Sequence, residues 1–292
     1  MEIKYTIQGL LIYAAMAAYV FAFVTSLLLY LLTFVTSLLR RTKAGHLLYF
    51  LGFITTVLAL SKQLLYLFGF IIAVLAFGYR WYDVRHVPLQ NLFEVFLCLG
   101  MIIYPVSLFC RRVLRVGGQC ADMLIGAIML FPAGFVFSAQ PRQLPPALQC
   151  WVFAPHVAVY VLSYIFMAKA AFQAIYQLAG EPSYYDEKFL PPEEATCRMI
   201  CVGFPLLTLG LVLGSYWGKL AWGDYWGWDP KELWSLASWL VYIGYFHFRY
   251  MFGKKHPRIN SLWAITAMAV IVVTLLWVNL SRFFSGLHSY AT

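Results

Sequence analysis

Charge is scarce in this sequence. Only 11% of its 292 residues are Asp, Glu, Lys or Arg, against roughly a quarter in ordinary soluble domains. With 62% of residues hydrophobic, too few polar groups remain to cover a globular surface in water. The same numbers exclude a disordered chain and a nucleic-acid-binding domain. Paired cysteines are missing too. Cys98, Cys110, Cys120, Cys150, Cys197 and Cys201 include no Cys-x-x-Cys spacing and no haem-attachment Cys-x-x-Cys-His, and the composition already excludes a disulfide-stapled secreted scaffold. Cys197 and Cys201, four apart, share a helical face and read as small apolar residues of a bundle. No linker, low-complexity tract or fixed-period repeat interrupts the chain, so residues 1–292 form one domain.

A polytopic membrane protein remains, with lipid as the solvent around most of the surface. A transmembrane helix needs about 20 mostly apolar residues. Eight such stretches can be drawn, at 10–39, 47–77, 93–110, 121–138, 152–178, 197–217, 234–252 and 262–284. The fold class is therefore all-α, a bundle of about eight transmembrane helices. The first two stretches are long enough to tilt or to project from the bilayer. The first is also too long for the apolar core of a cleavable signal peptide and reads as a span.

Lys and Arg sort the connections, and through them the net charge of +9 becomes a topology. One set holds Arg40, Arg41 and Lys43, then Arg111, Arg112 and Arg115, then Lys188 and Arg198, then Arg249, Lys254, Lys255 and Arg258. These twelve face seven on the other side, namely Lys4, Arg80, Arg85, Arg142, Lys219, Lys231 and Arg282. The positive-inside rule puts the twelve in the cytoplasm, with both termini outside. The outer connections are then 78–92, 139–151 and 216–233, with a tail from about 285. The inner loop at 179–196 ends in Pro191-Pro192, a turn into the sixth helix.

Tryptophan follows the same division. Membrane proteins usually place it at both interfaces. Here Trp81, Trp151, Trp217, Trp222, Trp226, Trp228 and Trp234, seven of ten, fall at or beyond the outer surface. Something flat and apolar is held there. The densest part is Trp222-Gly223-Asp224-Tyr225-Trp226-Gly227-Trp228-Asp229-Pro230-Lys231-Glu232. Trp222 and Trp226 would align if the segment were helical. Gly223 and Gly227 allow a tight bend or the close approach of a ligand. Asp229 has a structural role open to it beside any functional one: Asp-Pro-x-Glu is a helix start, with Asp229 as N-cap and Glu232 closing a capping box.

The run Trp222-Gly223-x-x-Trp226-x-Trp228-Asp229 resembles the tryptophan-rich "WWD" signature of haem-handling proteins of cytochrome c biogenesis. Its continuation, Asp229-Pro230-Lys231-Glu232-Leu233-Trp234, is similar to the CcsA (ResC) family, a subunit of the System II cytochrome c synthase. The resemblance extends to His86-Val-Pro-Leu-Gln-Asn91-Leu-Phe-Glu94, to the region of His156, to Tyr245-Phe-His247-Phe-Arg249 and to Gly286-Leu-His288-Ser-Tyr290. It covers the haem-handling core, 79–292, with the WWD segment at 222–229. Residues 1–78, the first two helices, carry no such marker.

The six histidines sort by depth. His46 and His256 fall in inner basic connections and read as solvated loop residues. His156 opens the fifth span and His288 lies just past the eighth, so both emerge beside the tryptophans. A haem iron takes two axial ligands on opposite faces of the macrocycle, and neutral imidazoles supply them. The family flanks its WWD segment with such a pair, and His156 and His288 match it by position. His247 lies about 26 Å along the seventh helix from Pro230, at about 1.5 Å per residue, in the inner leaflet. An ionisable side chain at that depth is a functional candidate, with a plain interfacial role as the alternative. The resemblance implies that it is one axial ligand of a haem entering from the cytoplasmic side, the other coming from a CcsB (ResB/Ccs1) membrane partner. His86 either shapes the haem or apocytochrome surface or makes loop contacts.

Together these readings imply a protein that exports haem b across the membrane. It presents the haem on its outer tryptophans for attachment to an apocytochrome c bearing Cys-x-x-Cys-His, within a synthase (haem lyase) complex. Trp222, Gly223, Trp226, Trp228, Asp229 and His86 would contact the haem; His156, His288 and His247 would bind its iron. Outer arginines such as Arg80, Arg85, Arg142 and Arg282 are candidates for the propionates. The chain itself has no Cys-x-x-Cys-His and is not a c-type cytochrome. The rival readings are a membrane haem oxidoreductase or electron-transfer subunit, and a transporter of another flat apolar ligand. The setting is the bilayer of a bacterial inner or plasma membrane, or of a thylakoid, with no nucleic-acid partner.

Overall fold

The computed structural model describes residues 6–39, 45–141, 143–180 and 188–277. Eight α-helices follow one another, with no strand among the described residues. They are α1 (Ile7–Leu39), α2 (Gly45–Val84), α3 (Leu92–Arg112), α4 (Gln119–Phe135), α5 (Phe153–Leu178), α6 (Pro192–Trp222), α7 (Pro230–Phe252) and α8 (Pro257–Val272). A π-helical turn, Val273–Trp277, continues α8. Each apolar stretch in the sequence thus falls on a helix over its described residues.

By length and composition, six of the eight can cross a membrane. The exceptions are α4, with 17 residues, and α7, whose many Trp, Tyr and Ser residues lower its hydropathy. At about 1.5 Å per residue, the 33 residues of α1 run about 50 Å, well past a hydrocarbon core of about 30 Å.

The helices form two groups. α1 packs on α2 and α4, and α3 on α4; α5 packs on α6 and α8, and α7 on α8. α3 against α5 joins the groups. Bulky rings fill the first group, where fully buried Tyr19 donates to the Gly100 carbonyl at 3.1 Å. Between the groups lies a dry charge cluster. Lys169 of α5 pairs with Asp122 of α4, which also accepts from Ser107 of α3. A buried charge is tolerable only when paired and hydrogen-bonded in this way.

The connections alternate between two ends of the bundle. At one end, Leu190 N–H donates to the Arg115 carbonyl at 2.9 Å, and Arg249 of α7 makes a two-pronged pair with Glu193 of α6 at 3.0 and 3.2 Å. Asn260 of α8 donates to the same carboxylate at 3.0 Å. This is the end of the basic connections. Cys197 and Cys201 lie near it, Sγ to Sγ 3.9 Å and unbridged. At the other end the α2–α3, α4–α5 and α6–α7 connections meet, and these carry the tryptophans.

Candidate functional site

The α2–α3 connection is held from beneath. Arg80, 2% exposed, donates through Nε and Nη2 to Glu94 Oε1 at 3.0 and 2.8 Å, and through Nη1 to the Ala139 carbonyl at 2.6 Å. The second Glu94 oxygen accepts from Gln90 N–H at 2.8 Å, and Asn91 caps α3 by accepting from Glu94 N–H at 3.0 Å. Arg80 is therefore committed inward. It is not a candidate for an external carboxylate, because its guanidinium already neutralises the buried Glu94. Arg85 lays its guanidinium over Tyr82, 4.3 Å from the ring centroid, and Arg142 and Arg282 lie outside the described residues.

Above this support is a cavity between α3, α5, α6, α7 and the turn after α8. Its wall includes Asn91, His156, Tyr160, Trp217, Trp226 and Lys231. His156 sits in the first turn of α5. Its Nδ1 lies 2.9 Å from the Gly210 carbonyl oxygen of α6. A carbonyl only accepts, so Nδ1 carries the proton and the lone pair is on Nε2. The imidazole stacks on Trp217 at 5.8 Å and 21°, and meets Tyr160 edge-on at 5.1 Å.

Glycine makes that position possible. A Cβ at Gly214 would come within 2.5 Å of His156 Cε1, and one at Gly210 within 2.9 Å of Tyr160 Cδ2. Gly210, Gly214 and Gly218 recur every fourth residue, so they form one stripe of α6, as small residues do where membrane helices approach closely. The sequence reading passed over these glycines. The Gly-x-x-x-Gly-x-x-x-Gly spacing was the signal that could have found them.

The tryptophan segment is not one helix. α6 stops at Trp222, because Gly223 at φ 92° adopts the left-handed conformation that ends helices. Trp222 and Trp226 are thus on separate elements. Trp222 packs edge-on against Trp217 at 4.7 Å, and Trp217 is 2% exposed with its Nε1 donating to the Ala147 carbonyl at 2.9 Å. Trp226 lines the His156 cavity and meets Trp228 edge-on at 6.1 Å. Trp228 is 67% exposed at φ 55°, a conformation that bulky side chains rarely adopt. Trp217, not named among the site residues from sequence, is the tryptophan stacked on His156.

The capping box is present. Asp229 accepts from Lys231 N–H at 2.9 Å, while Glu232 Oε2 accepts from the N–H groups of Asp229 at 3.1 Å and Gly227 at 2.9 Å. Glu232 therefore grips the backbone on both sides of Trp228. Ser215 donates to the Tyr225 carbonyl at 2.9 Å and ties the loop to α6. Burial lowers the Lys231 ammonium to about pKa 8, with Asp229 opposing the shift. This lysine precedes the apolar stretch at 234–252.

The other histidines lie elsewhere. His247 is on the exposed face of α7, with Nδ1 3.0 Å from the Ile243 carbonyl. His86 lines a separate polar recess with Asp83, Gln143 and Gln149. Its Nδ1 lies 3.0 Å from the Val87 carbonyl, and its buried Nε2 has no hydrogen-bond partner among the described residues. His288 lies outside the described residues. His256 is exposed in the α7–α8 connection.

Comparison with known proteins bears on what this site does. Residues 87–285 match the family model described as cytochrome C assembly protein. The chain is 32% identical over 226 residues to the cytochrome c biogenesis protein CcsA of Chlamydomonas reinhardtii, covering 72% of this chain and 63% of that protein. It is 29% identical over 252 residues to the CcsA of Guillardia theta (73% and 79%), and 30% identical over 269 residues to that of Synechococcus elongatus (73% and 82%). The chain thus spans slightly less than two thirds of the Chlamydomonas relative and about four fifths of the other two. It belongs to the CcsA family of cytochrome c assembly proteins.

Proposed function

We propose that the protein moves haem b from the inner leaflet to the tryptophan-bearing end of the bundle, and there offers it to an apocytochrome c. One observation carries this reading: a histidine with its lone pair on Nε2 in the wall of an aromatic cavity, beside the family's WWD loop. The residues suit haem. His156 is tautomerically set for iron, Gly214 leaves room for the imidazole, and Trp217, Tyr160 and Trp226 supply apolar ring surface.

When bound, haem supplies the iron that an imidazole can coordinate and the vinyl groups to which a client's thiols add. The chain's own work is to hold and orient. His156 would hold the iron, with His288 of the tail as the second proposed ligand. Trp226 and Trp228 cover the ring, Trp222 backs Trp217, and Gly223 and Asp229 shape the loop that carries them. The addition of client thiols to those vinyl groups would need no oxidant and no cysteine of this chain. His86 sits apart from the cavity and fits contact with the client peptide better than contact with haem.

His247 is the proposed inner ligand. Its exposure on α7 suits a second ligand from another subunit, a membrane partner of the CcsB (ResB/Ccs1) type. The protein would then work as part of a cytochrome c synthase in a bacterial or thylakoid membrane, with the WWD loop on the outer side. A haem electron carrier is disfavoured, because such bundles pair histidines at matched depth within the membrane, whereas His156 sits in the first turn of α5 and His247 lies near the far end of α7. The test is to purify the protein with its partner, record the visible spectrum, and replace His156, His288 and His247 singly. Each substitution should change the haem spectrum and lower cytochrome c maturation. Absence of haem from the wild-type complex, or three silent substitutions, would overturn the reading.

A further inference from the structure

We propose that Glu193 is a positioning residue for the inner site: by holding Arg249 with both carboxylate oxygens and Asn260 with one, it fixes the rotation of α7 and keeps the His247 imidazole turned out of the bundle. This rests on the reading of His247 as the inner haem ligand and supplies what aims it.

The two sides of α7 are unlike. At 3.6 residues per turn, Arg249 lies about 200° around the helix from His247. The buried residues Ser238, Tyr242 and Tyr245 fall within about 40° of the point opposite His247. His247 itself is exposed. Its Nδ1 lies 3.0 Å from the Ile243 carbonyl oxygen of the same helix, so the proton is on Nδ1 and the lone pair on Nε2. The imidazole is tied to its own helix, and the direction of Nε2 follows the rotation of α7.

One carboxylate controls that rotation at the inner end. Glu193 sits in the first turn of α6, 8% exposed. Its Oε1 and Oε2 accept from Arg249 Nε and Nη2 at 3.0 and 3.2 Å, and Oε1 also accepts from Asn260 Nδ2 of α8 at 3.0 Å. The same Asn260 nitrogen lies 3.4 Å from the Gly253 carbonyl, just past the end of α7. Three helices thus meet at a single side chain. A two-pronged guanidinium–carboxylate pair fixes direction as well as distance, which an ammonium does not. Farther along α7 the ties are neutral hydrogen bonds, from Trp263 Nε1 to the Val241 carbonyl at 2.8 Å and between the Ser238 and Thr274 hydroxyls at 3.1 Å. Both lie more than a turn before His247. Released from Glu193, the last turns of α7 can roll, and an imidazole on an apolar surface gains by turning inward.

Two measurements test this. In the haem-free full-length protein in detergent micelles, diethyl pyrocarbonate modifies exposed neutral imidazoles, and peptide mass spectrometry gives the rate at His247. Glu193→Gln should lower that rate about fivefold, the scale of one lost charge-assisted contact divided between two orientations. The second measurement uses the purified complex carrying His156→Ala and His288→Ala, which empties the outer site. There Glu193→Gln should shift the Soret band or lose haem, and millimolar imidazole should restore the spectrum, because the free base replaces a ligand that is present but turned away. A residue that only stabilised the fold would lower the unfolding temperature and leave the rate at His247 unchanged. Arg249→Lys keeps the charge and loses the fork. It should move both readings in the same direction to a smaller extent, and it decides the matter if Glu193→Gln does not fold. The proposal is overturned if the folded variants modify His247 at the wild-type rate or faster, or if imidazole fails to restore the spectrum. If the complex with the outer site emptied holds no haem sensitive to His247→Ala, the inner-ligand reading fails instead, and the modification rate still decides whether Glu193 aims the imidazole.

Discussion

His156 and Gly210 face each other across the α5–α6 contact, with imidazole Nδ1 2.9 Å from the glycine carbonyl. This one hydrogen bond places the proton on Nδ1 and the lone pair on Nε2, as backbone carbonyls do for metal-bound histidines. The α6 backbone thus sets the chemistry of a side chain on α5. The two helices approach closely enough because α6 presents glycine to α5 at 210 and 214.

Gly214→Ala should displace the imidazole, since the new methyl would meet His156 Cε1 at 2.5 Å. Overpacking of this kind costs about 1–3 kcal/mol. Haem affinity should fall in proportion, with the absorption maximum shifted. Titration of the variant with haem checks this, and an unchanged spectrum would separate the glycine stripe from the ligand.

The Glu232 clamp predicts coupling with Trp228. Glu232→Ala should lower stability by about 1 kcal/mol, in the range of lost helix caps. In a Trp228→Gly background the left-handed turn carries no side-chain penalty, so the same substitution should cost less. A double-mutant cycle on thermal unfolding in detergent measures the difference. Strict additivity would mean that Glu232 caps α7 without restraining Trp228.

Arg80 and Glu94 make a different prediction. Removing one partner of a buried pair leaves a bare charge, at a cost of about 3–5 kcal/mol. Arg80→Met should therefore unfold or loosen the 86–94 segment, whereas the double replacement Arg80→Met with Glu94→Leu should recover much of the loss. Thermal unfolding, with protease access to the α2–α3 connection, reads both.

The helices were legible in the sequence because length and hydropathy set them one at a time. Asp229-Pro230-x-Glu232 and Pro191-Pro192 marked two starts that the structure places at the same residues. Among the described residues, the basic α3–α4 and α7–α8 connections lie at one end of the bundle and the tryptophan-bearing connections at the other. What escaped depends on pairs of elements. That Gly214 serves His156 requires knowing which face of α6 meets α5. That Arg80 turns inward requires knowing that Glu94, on the next helix, is buried beneath it. Trp217 read as one more interfacial ring, yet it is the ring stacked on the imidazole, while neighbouring Trp222 stands behind it. The signature marked a loop beside the cavity without showing which of its rings line it.

The most direct test of the central claim is the visible spectrum of the purified complex carrying His156→Gly, recorded with and without added imidazole. If His156 is an axial ligand, the variant loses haem or shows a shifted Soret band, and millimolar imidazole restores the wild-type spectrum together with cytochrome c maturation. A variant whose spectrum and maturation match wild type without imidazole would contradict the account.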